Sequence, residues 1–428
     1  MKQDKKGGIS RRQFVKQASM AAAVSGALPH LGYAAGADKP SMVAAPAIRR
    51  GVGPDKPIRF GLIGCGGRGT GASRNAIEAD PKAKLVAVAD IAPDRLQRVY
   101  DKMKDLVEIE EKYRFLGFDA YKKVLEQDLD YVILATPPYY RPEHFEACVE
   151  AGKNVFMEKP VAVDPVGCRR MMAAGEKAKA KGLSIVAGTQ RRHQAAYIEV
   201  IKRIHNGEIG KIVSGQCYWN SGQLWYKTRE AGWSEDEWMH RDWVNWCWLS
   251  GDHIVEQHVH NLDVINWVIG THPEKVVAMG ARQRRVTGNQ YDFFSSDFTY
   301  PGEVHVHSQC RQINGCTRNV SERVIGTKGW STCKGWLSTS GKVEIEAPSP
   351  YVQEHADLIA AIRTGKVINE SQNVAESTLC GVMARTSAYT GAEVTWDEMM
   401  KSELVLSRPD YKLTPENIKA HIPVPGKA

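Results

Sequence analysis

After residue 34 the chain has no apolar run that approaches a membrane span, and it carries no internal repeat or low-complexity tract. Spanning helices and repeat arrays are therefore excluded. Its nine cysteines (65, 148, 168, 217, 247, 310, 316, 333 and 380) are odd in number, with no C-x-x-C pair. That pattern gives no disulfide framework and reads most of them as small buried apolar side chains. A concentrated basic stripe is also missing. The net charge is +8, but residues 1–34 hold six Lys/Arg against one Asp, leaving +3 for the rest. Nucleic acid is thus not an implied partner. What remains is an ordinary globular composition, 43% hydrophobic and 25% charged, at a length (428 residues) that accommodates two domains.

The N-terminus has a distinct layout. Ser10-Arg11-Arg12-Gln13-Phe14-Val15-Lys16 precedes an alanine-rich apolar block, Ala18 to Leu31, and a small-residue region at Gly32-Tyr33-Ala34-Ala35. It is similar to a twin-arginine secretory signal occupying residues 1–34. No cysteine lies at the cleavage region, so no lipid anchor is expected. The mature protein is expected to be soluble and periplasmic. Residues 35–57, with prolines at 40, 46, 54 and 57, read as a linker or arm.

The densest signal is Ile58-Arg59-Phe60-Gly61-Leu62-Ile63-Gly64-Cys65-Gly66-Gly67-Arg68-Gly69. A buried strand ends at Gly64, and Gly64-x-Gly66-x-x-Gly69 opens a helix. Gly64 permits the tight turn, Gly66 lets the backbone approach a pyrophosphate, and Gly69 lets helix and strand pack closely. The anion belongs at the helix N-terminus, with Gly67 and Arg68 beside it. A second apolar strand, Leu85 to Ala89, ends in Asp90, 21 residues past Gly69, at the spacing of a ribose-binding carboxylate. Such an acid repels a 2′-phosphate, and Ile91 follows it, so the expected cofactor is NAD. A protein exported in folded form would carry that NAD with it.

Apolar strands near 58–63, 84–89, 131–135, 155–157 and 183–186 alternate with helices near 70–79, 93–106, 118–126, 141–151 and 164–180. The alternation predicts a doubly wound parallel sheet, a Rossmann domain over 58–187. Thr136, Pro137, Glu158 and Lys159 then fall with the glycine turn at the strands' carboxyl ends, where ligands bind. From 188 to 428 strands dominate (211–219, 275–285, 293–300, 303–312, 320–327, 342–346), predicting an α+β domain with a largely antiparallel open-faced sheet. A tryptophan-rich insertion at 219–248 and a helix over 252–268 interrupt it; helices at 352–364 and 372–390 follow.

Two further stretches carry chemistry. Lys159 sits between Glu158 and Pro160 directly after a buried strand, and reads either as a cleft amine or as a surface lysine in a turn. In Asp252 to Asp263, helical spacing puts Asp252, Glu256, His260 and Asp263 on one face. Glu256 would then support the His260 imidazole as a base. A polar helix face is the bland alternative, and a metal site fits poorly because the spacing matches no zinc motif. Arg191, Arg192 and His193 follow the last Rossmann strand, either as donors to substrate or as an interdomain salt-bridge network. Seven of the eleven tryptophans lie in the insertion, as flat faces for a pyranose or as core.

The fingerprint at 64–69, Glu158-Lys159-Pro160 and the 251–263 stretch together resemble the glucose–fructose oxidoreductase/inositol dehydrogenase (Gfo/Idh/MocA) family over most of residues 58–390. The resemblance implies hydride transfer between a sugar or polyol carbon and NAD. It makes Lys159 and His260 catalytic, with Glu256 where the family commonly has Asp. It also implies that Lys159 and His260 contact the substrate. Arg141 stands where the segment after Thr136-Pro137 often carries a histidine. The expectation is a periplasmic NAD-dependent sugar or glycoside dehydrogenase acting at C3, with a homo-oligomer formed through the open sheet. The alternatives are a redox-assisted glycosidase similar to the NAD-dependent α-N-acetylgalactosaminidases and a non-catalytic sugar-binding protein with a vestigial NAD site. No metal is expected.

Overall fold

The computed structural model describes residue 53 and residues 55–427. The arginine-pair leader and most of the proline-bearing arm lie outside the described residues. Among the described residues no helix is long and apolar enough to cross a membrane.

The first domain alternates β1 (Ile58–Ile63), α1 (Gly67–Ala79), β2 (Ala83–Asp90), α2 (Pro93–Met103), β3 (Arg114–Leu116), α3 (Ala120–Leu125), β4 (Tyr131–Leu134), α4 (Arg141–Glu150), β5 (Asn154–Met157), α5 (Pro165–Ala180) and β6 (Ile185–Ala187). The sheet runs β3-β2-β1-β4-β5-β6, every pair parallel. Both faces are covered, so its strands are continuous apolar runs; all four residues of β4 are buried. Successive side chains serve opposite cores. Ile63, Val132 and Leu134 pack with Phe145 and Met171, whereas Phe60, Leu62 and Ile133 pack with Ala72 and Ala76. Each such side chain stabilises the fold by about 1.5–3 kcal/mol relative to exposure. The Asp164 carboxylate caps α5 by accepting the Gly167 N–H at 2.7 Å. The strand order reverses between β1 and β4, placing the crevice at their carboxyl ends.

The second domain contains α6 (Ala195–His205), β7 (Ile212–Ser221), α7 (Glu235–Arg241), α8 (Cys247–Ser250), α9 (His253–Glu256), α10 (Val259–Ile269), β8 (Lys275–Ala281), β9 (Phe293–Tyr300), β10 (Val304–Gln312), β11 (Asn319–Gly326), β12 (Trp330–Ser331), β13 (Trp336–Leu337) and β14 (Gly341–Lys342). After these come α11 (Pro350–Thr364), α12 (Ser371–Thr390), β15 (Val394–Thr395), α13 (Trp396–Lys401) and α14 (Pro415–Ala420). The nine-stranded sheet runs β14-β13-β12-β11-β7-β10-β9-β8-β15, antiparallel except for β7 with β10. Its inner face packs on α10 and α12 through Val276, Phe298, Val306, Leu262 and Val382. On β8, Val277 and Met279 alternate with buried neighbours and stand exposed.

Three differences from the sequence pattern matter. The helix expected over 252–268 is broken at Gln257 and His258, between α9 and α10. His258 is fully buried and its Nε2 meets Ser308 Oγ on β10 at 2.7 Å, drawing the backbone out of helical register. The strand expected to reach 285 stops at Ala281, because the Asp292 carboxylate accepts the N–H groups of Gln283 and Arg284. Finally, the chain returns to the first domain after the second sheet. Leu358, Ile359 and Ile362 of α11 join the core beside β1, and Asn369 bridges Ile185 at the sheet edge.

Candidate active site

The glycine turn forms as its sequence dictates. Gly64 has φ +98°, and a Cβ there would lie 2.6 Å from the Ala135–Thr136 peptide. At Gly69 a Cβ would meet Gly64 O at 2.0 Å, so only glycine allows this helix–strand contact. At Gly66 and Gly67, by contrast, a Cβ would meet nothing within 4 Å: both backbones face open space. Gly66 caps α1 without a side-chain hydrogen bond, leaving N–H groups of the first turn free for an anion. Asp90 closes the turn, its Oδ2 accepting Cys65 N–H at 2.7 Å and Oδ1 accepting Ala92 N–H at 2.9 Å. Each oxygen keeps a lone pair for a ribose hydroxyl.

A groove of about 400 Å³ runs along this turn, lined by Gly64, Gly66, Gly67, Arg68, Asp90, Thr136 and Pro137. Its opposite wall was not foreseen from sequence. Trp225, Lys227, His240, Arg241 and Trp243 of the insertion reach over it from the second domain. Arg241 pairs with Asp94 at 3.0 Å, and Tyr140 OH lies 2.6 Å from His240 Nε2. The other imidazole nitrogen of His240 faces Asp236 O at 2.6 Å, so Nδ1 donates there and Nε2 accepts from Tyr140.

Next to the groove, and sharing Arg68, Ala135, Thr136 and Trp243 with it, lies a second cavity of about 340 Å³. Lys159, Glu256, Gln257 and His260 all line it. Lys159 is placed by the end of β5, and its Nζ donates to Glu256 O and lies 3.1 Å from Glu256 Oε1. His260 stacks on Trp219 with ring centroids 5.7 Å apart and an interplanar angle of 21°. Its Nδ1 is buried without a partner. Burial first, then the charges of Lys159, Arg191 and Arg68, hold the imidazole well below its ordinary pKa. It is therefore neutral at pH 7 and able to accept a proton.

The expected support of His260 by Glu256 is not what forms. Because the helix breaks at Gln257–His258, the Glu256 carboxylate turns to Lys159 and is a counter-ion for the amine. Glu158 does not reach into the groove on its own account either. Its Oε1 accepts from Arg68 Nε, and Arg68 also pairs with Glu354 at 2.9 Å and sits over the Tyr351 ring. Burial, and then the charge of Glu158, push the Glu354 carboxyl well up.

Arg191, Arg192 and His193 form the interdomain network rather than a substrate wall; none lines the cavity. Arg191 pairs with buried Glu322 and its guanidinium carbon lies 5.8 Å from the Trp219 ring centroid. Arg192 grips Asp263 with Nε 2.8 Å from Oδ2 and Nη2 2.9 Å from Oδ1. His193 bridges Asp357 at 2.6 Å and Glu370 at 3.2 Å. Burial opposes its charge, but the Glu370 and Asp357 carboxylates outweigh that and push it up to about 10.

Arg141 is almost fully buried and donates to the carbonyl oxygens of Thr136 and Pro160, tying the end of β4 to the turn that carries Lys159. Burial lowers it to about 10. The tryptophans divide between cavity wall and core. Trp219 and Trp243 line the cavity beside Lys159, whereas Trp238, Trp246 and Trp248 are buried in a separate core. Among the described residues no cluster of metal ligands occurs.

A parallel sheet with an open glycine cradle, joined at its carboxyl edge to a cavity holding an amine and a neutral imidazole, defines a dinucleotide-binding oxidoreductase of two domains. Residues 58–186 match the oxidoreductase family model with the NAD-binding Rossmann fold, and residues 197–332 match the GFO/IDH/MocA C-terminal domain. Inositol 2-dehydrogenase 3 of Saccharopolyspora erythraea is 30% identical over 350 residues, 79% of this chain and 90% of that protein. The scyllo-inositol 2-dehydrogenase (NAD(+)) of Bacillus subtilis is 26% identical over 64% of this chain and 72% of its own. Among solved structures, aldose-aldose oxidoreductase from Caulobacter crescentus has the same fold, with TM-score 0.63, 19% identity, and 79% of this chain and 100% of that one covered. GenD2 from gentamicin A biosynthesis, in complex with NAD, aligns with TM-score 0.64 at 17% identity over 82% and 99%. The chain belongs to the Gfo/Idh/MocA oxidoreductase family, and its first domain is that family's NAD-binding Rossmann fold.

Proposed function

We propose that this chain oxidises a secondary ring hydroxyl of a sugar or glycoside, at C3, using NAD held in the groove over Gly66. The observation that carries this reading is convergence. Lys159, Glu256 and His260 meet in one cavity that shares Arg68, Thr136 and Trp243 with the glycine groove. The open cradle at Gly66 and Gly67 fits a pyrophosphate, and Asp90 fits a ribose without a 2′-phosphate. When bound, NAD supplies the hydride acceptor.

The chain's own residues handle the oxygen and its proton. His260, neutral and exposed to the cavity on one side, takes the hydroxyl proton. Lys159 donates a hydrogen bond to the same oxygen and stabilises the negative charge that develops on it. Glu256 offsets the lysine's charge and holds its Nζ in place. Arg141 fixes the Lys159–Pro160 turn against β4. Trp219 and Trp243 offer flat apolar faces to the C–H side of a pyranose.

The leader at residues 1–34 supports export in the folded state to the periplasm, with residues 35–57 as an arm, 58–187 as the cofactor domain and 188–428 as the substrate and oligomerisation domain. The insertion over the groove suits a coenzyme that stays with the protein after export. The test is to denature the purified protein, assay released NAD(H), and follow the absorbance of intact protein near 340 nm against a panel of glycosides. Reduction of bound coenzyme by a glycoside is expected. Absence of coenzyme, or no response to any sugar or polyol, would overturn the reading.

A further inference from the structure

Gln257 stands at the break between α9 and α10, and lines the cavity beside Lys159, Glu256 and His260. Its amide is oriented by a buried relay that begins with Arg285. A guanidinium only donates, so the Gln312 atom 2.7 Å from Arg285 Nη2 is Oε1. The Gln312 side chain must then present Nε2 to Gln257, at 2.5 Å, and the Gln257 atom it meets must be Oε1. The Gln257 NH2 is left without a partner in the protein. Arg285 cannot turn away from this task. It is buried, its Nε donates to Tyr291 O at 2.8 Å, and Nη1 donates to Asn245 Oδ1 at 3.1 Å. Gln312 is 2% exposed, within β10.

The neighbouring Glu256 has one oxygen on Lys159 and a second that takes no hydrogen bond from the protein. Both residues line the same cavity, so it offers a free carboxylate oxygen and a free amide NH2. A hydroxyl is the group that answers both, since it donates one hydrogen bond and accepts others.

We infer that Gln257, with the free Glu256 oxygen lining the same cavity, selects substrates by a hydroxyl adjacent to the carbon being oxidised, with Gln312 and Arg285 as positioning residues that fix the polarity of Gln257. This rests on the oxidoreductase reading above. It adds that the site rejects compounds in which the neighbouring hydroxyl is missing, because both the carboxylate oxygen and the amide are then left unpaired in a half-closed cavity. Sites built to bond a hydroxyl discriminate against the analogue lacking it by ~100-fold or more in kcat/KM.

The experiment uses the full mature protein with its bound coenzyme. Methyl D-glucopyranoside, methyl D-galactopyranoside and myo-inositol are compared at 340 nm, followed by each monodeoxy derivative of whichever reacts fastest. One monodeoxy compound that keeps the oxidised hydroxyl is expected to fall ~100-fold below its parent. In Gln257→Leu and in Gln312→Glu the parent-to-deoxy ratio is expected to collapse to about a tenth of the wild-type value or less, the remainder being the contribution of Glu256. The glutamate still accepts from Arg285 but cannot donate to Gln257, whose amide then turns round. A wild-type protein that treats every such monodeoxy compound like its parent would overturn the inference while leaving the oxidoreductase reading intact. So would a Gln257→Leu protein that keeps the wild-type ratio. A ratio that collapses in Gln257→Leu but survives in Gln312→Glu would overturn the relay. Failure of every parent polyol to reduce the coenzyme would overturn the oxidoreductase reading itself, and this inference with it.

Discussion

Lys159 Nζ lies 3.1 Å from Glu256 Oε1 and donates to the same residue's backbone carbonyl, although 97 residues separate the two in sequence. Both side chains are largely enclosed, 13% and 12% exposed. The pair delivers a cation to the cavity while holding its charge close to neutral overall. Removing the carboxylate alone leaves a largely enclosed ammonium without its counter-ion. Glu256→Gln is therefore expected to lower kcat by about 10–100-fold. Lys159→Ala should lower it by about 10³-fold with coenzyme still bound. Steady-state kinetics together with released NAD(H) per chain measure both effects. Near-normal turnover in Lys159→Ala would remove the amine from the mechanism.

His260 gives a pH signature. Burial and three nearby cations keep its folded-state pKa well below the ordinary 6.5. As the pH falls, the imidazole stays neutral after a free histidine would have charged. The acid limb of kcat/KM for hydroxyl oxidation is therefore expected below pH 6.5, and it should disappear with the activity in His260→Ala. A pH–rate profile with an acid limb at or above 6.5 would contradict this placement of the base.

The first domain was legible because buried parallel strands are unbroken apolar runs, and β1, β4 and β5 stand out from their polar flanks. Lys159, Glu256 and His260 could be singled out as candidates, since each belongs to a local motif, and they do line one cavity. Their connections were not legible. Helical spacing joined Glu256 to His260, but a helix continuous through 257–258 was needed for that. Burial of His258 against Ser308, 50 residues away, outweighed local periodicity. The partners of Arg192 and His193 are likewise remote: Asp263 is 71 residues away and Asp357 is 164. Arg68 finds Glu354 across 286 residues. Nothing local distinguishes a cation that awaits a substrate from one that has a partner elsewhere in the fold.

That distinction yields a stability prediction for His193. Its folded pKa, about 10, lies above the ordinary 6.5, so the folded state binds the proton more tightly than the unfolded chain. The stabilisation is fully present below pH 6.5 and is lost as the pH rises through about 10. It amounts to on the order of a few kcal/mol, each pKa unit being worth about 1.4 kcal/mol. Urea unfolding of the wild type between pH 6 and 10 should show a decline that His193→Gln lacks. Equal slopes in the two proteins would show that this histidine stays neutral in the fold.

The wall contributed by the insertion leads to a prediction about coenzyme retention. Arg241 and Asp94 are partly exposed, 23% and 45%, so their ion pair contributes at most about 1 kcal/mol. Arg241→Ala should therefore speed coenzyme release by no more than about fivefold. The Tyr140–His240 contact is more enclosed, and burial holds His240 below its ordinary pKa, keeping Nε2 an acceptor. Tyr140→Phe removes the donor and leaves that nitrogen unpaired, at a cost of about 1–3 kcal/mol. Its effect on release should exceed that of Arg241→Ala. The two rates, followed by dilution of the fluorescent reduced form, rank the contacts directly.

The glycine turn separates binding from folding within six residues. A Cβ at Gly66 would meet no atom within 4 Å, so Gly66→Val projects into the space in front of α1. Stability should change little, while the backbone N–H groups that await the pyrophosphate are covered. At Gly69 the added Cβ would meet Gly64 O at 2.0 Å, so Gly69→Ala forces helix and strand apart. Gly66→Val is thus expected to be a folded protein with no coenzyme after purification, and Gly69→Ala a protein of clearly lower Tm. If Gly66→Val retains coenzyme at the wild-type stoichiometry, the pyrophosphate does not lie over this turn, and the cavity beside Lys159 would need a different source of oxidising power.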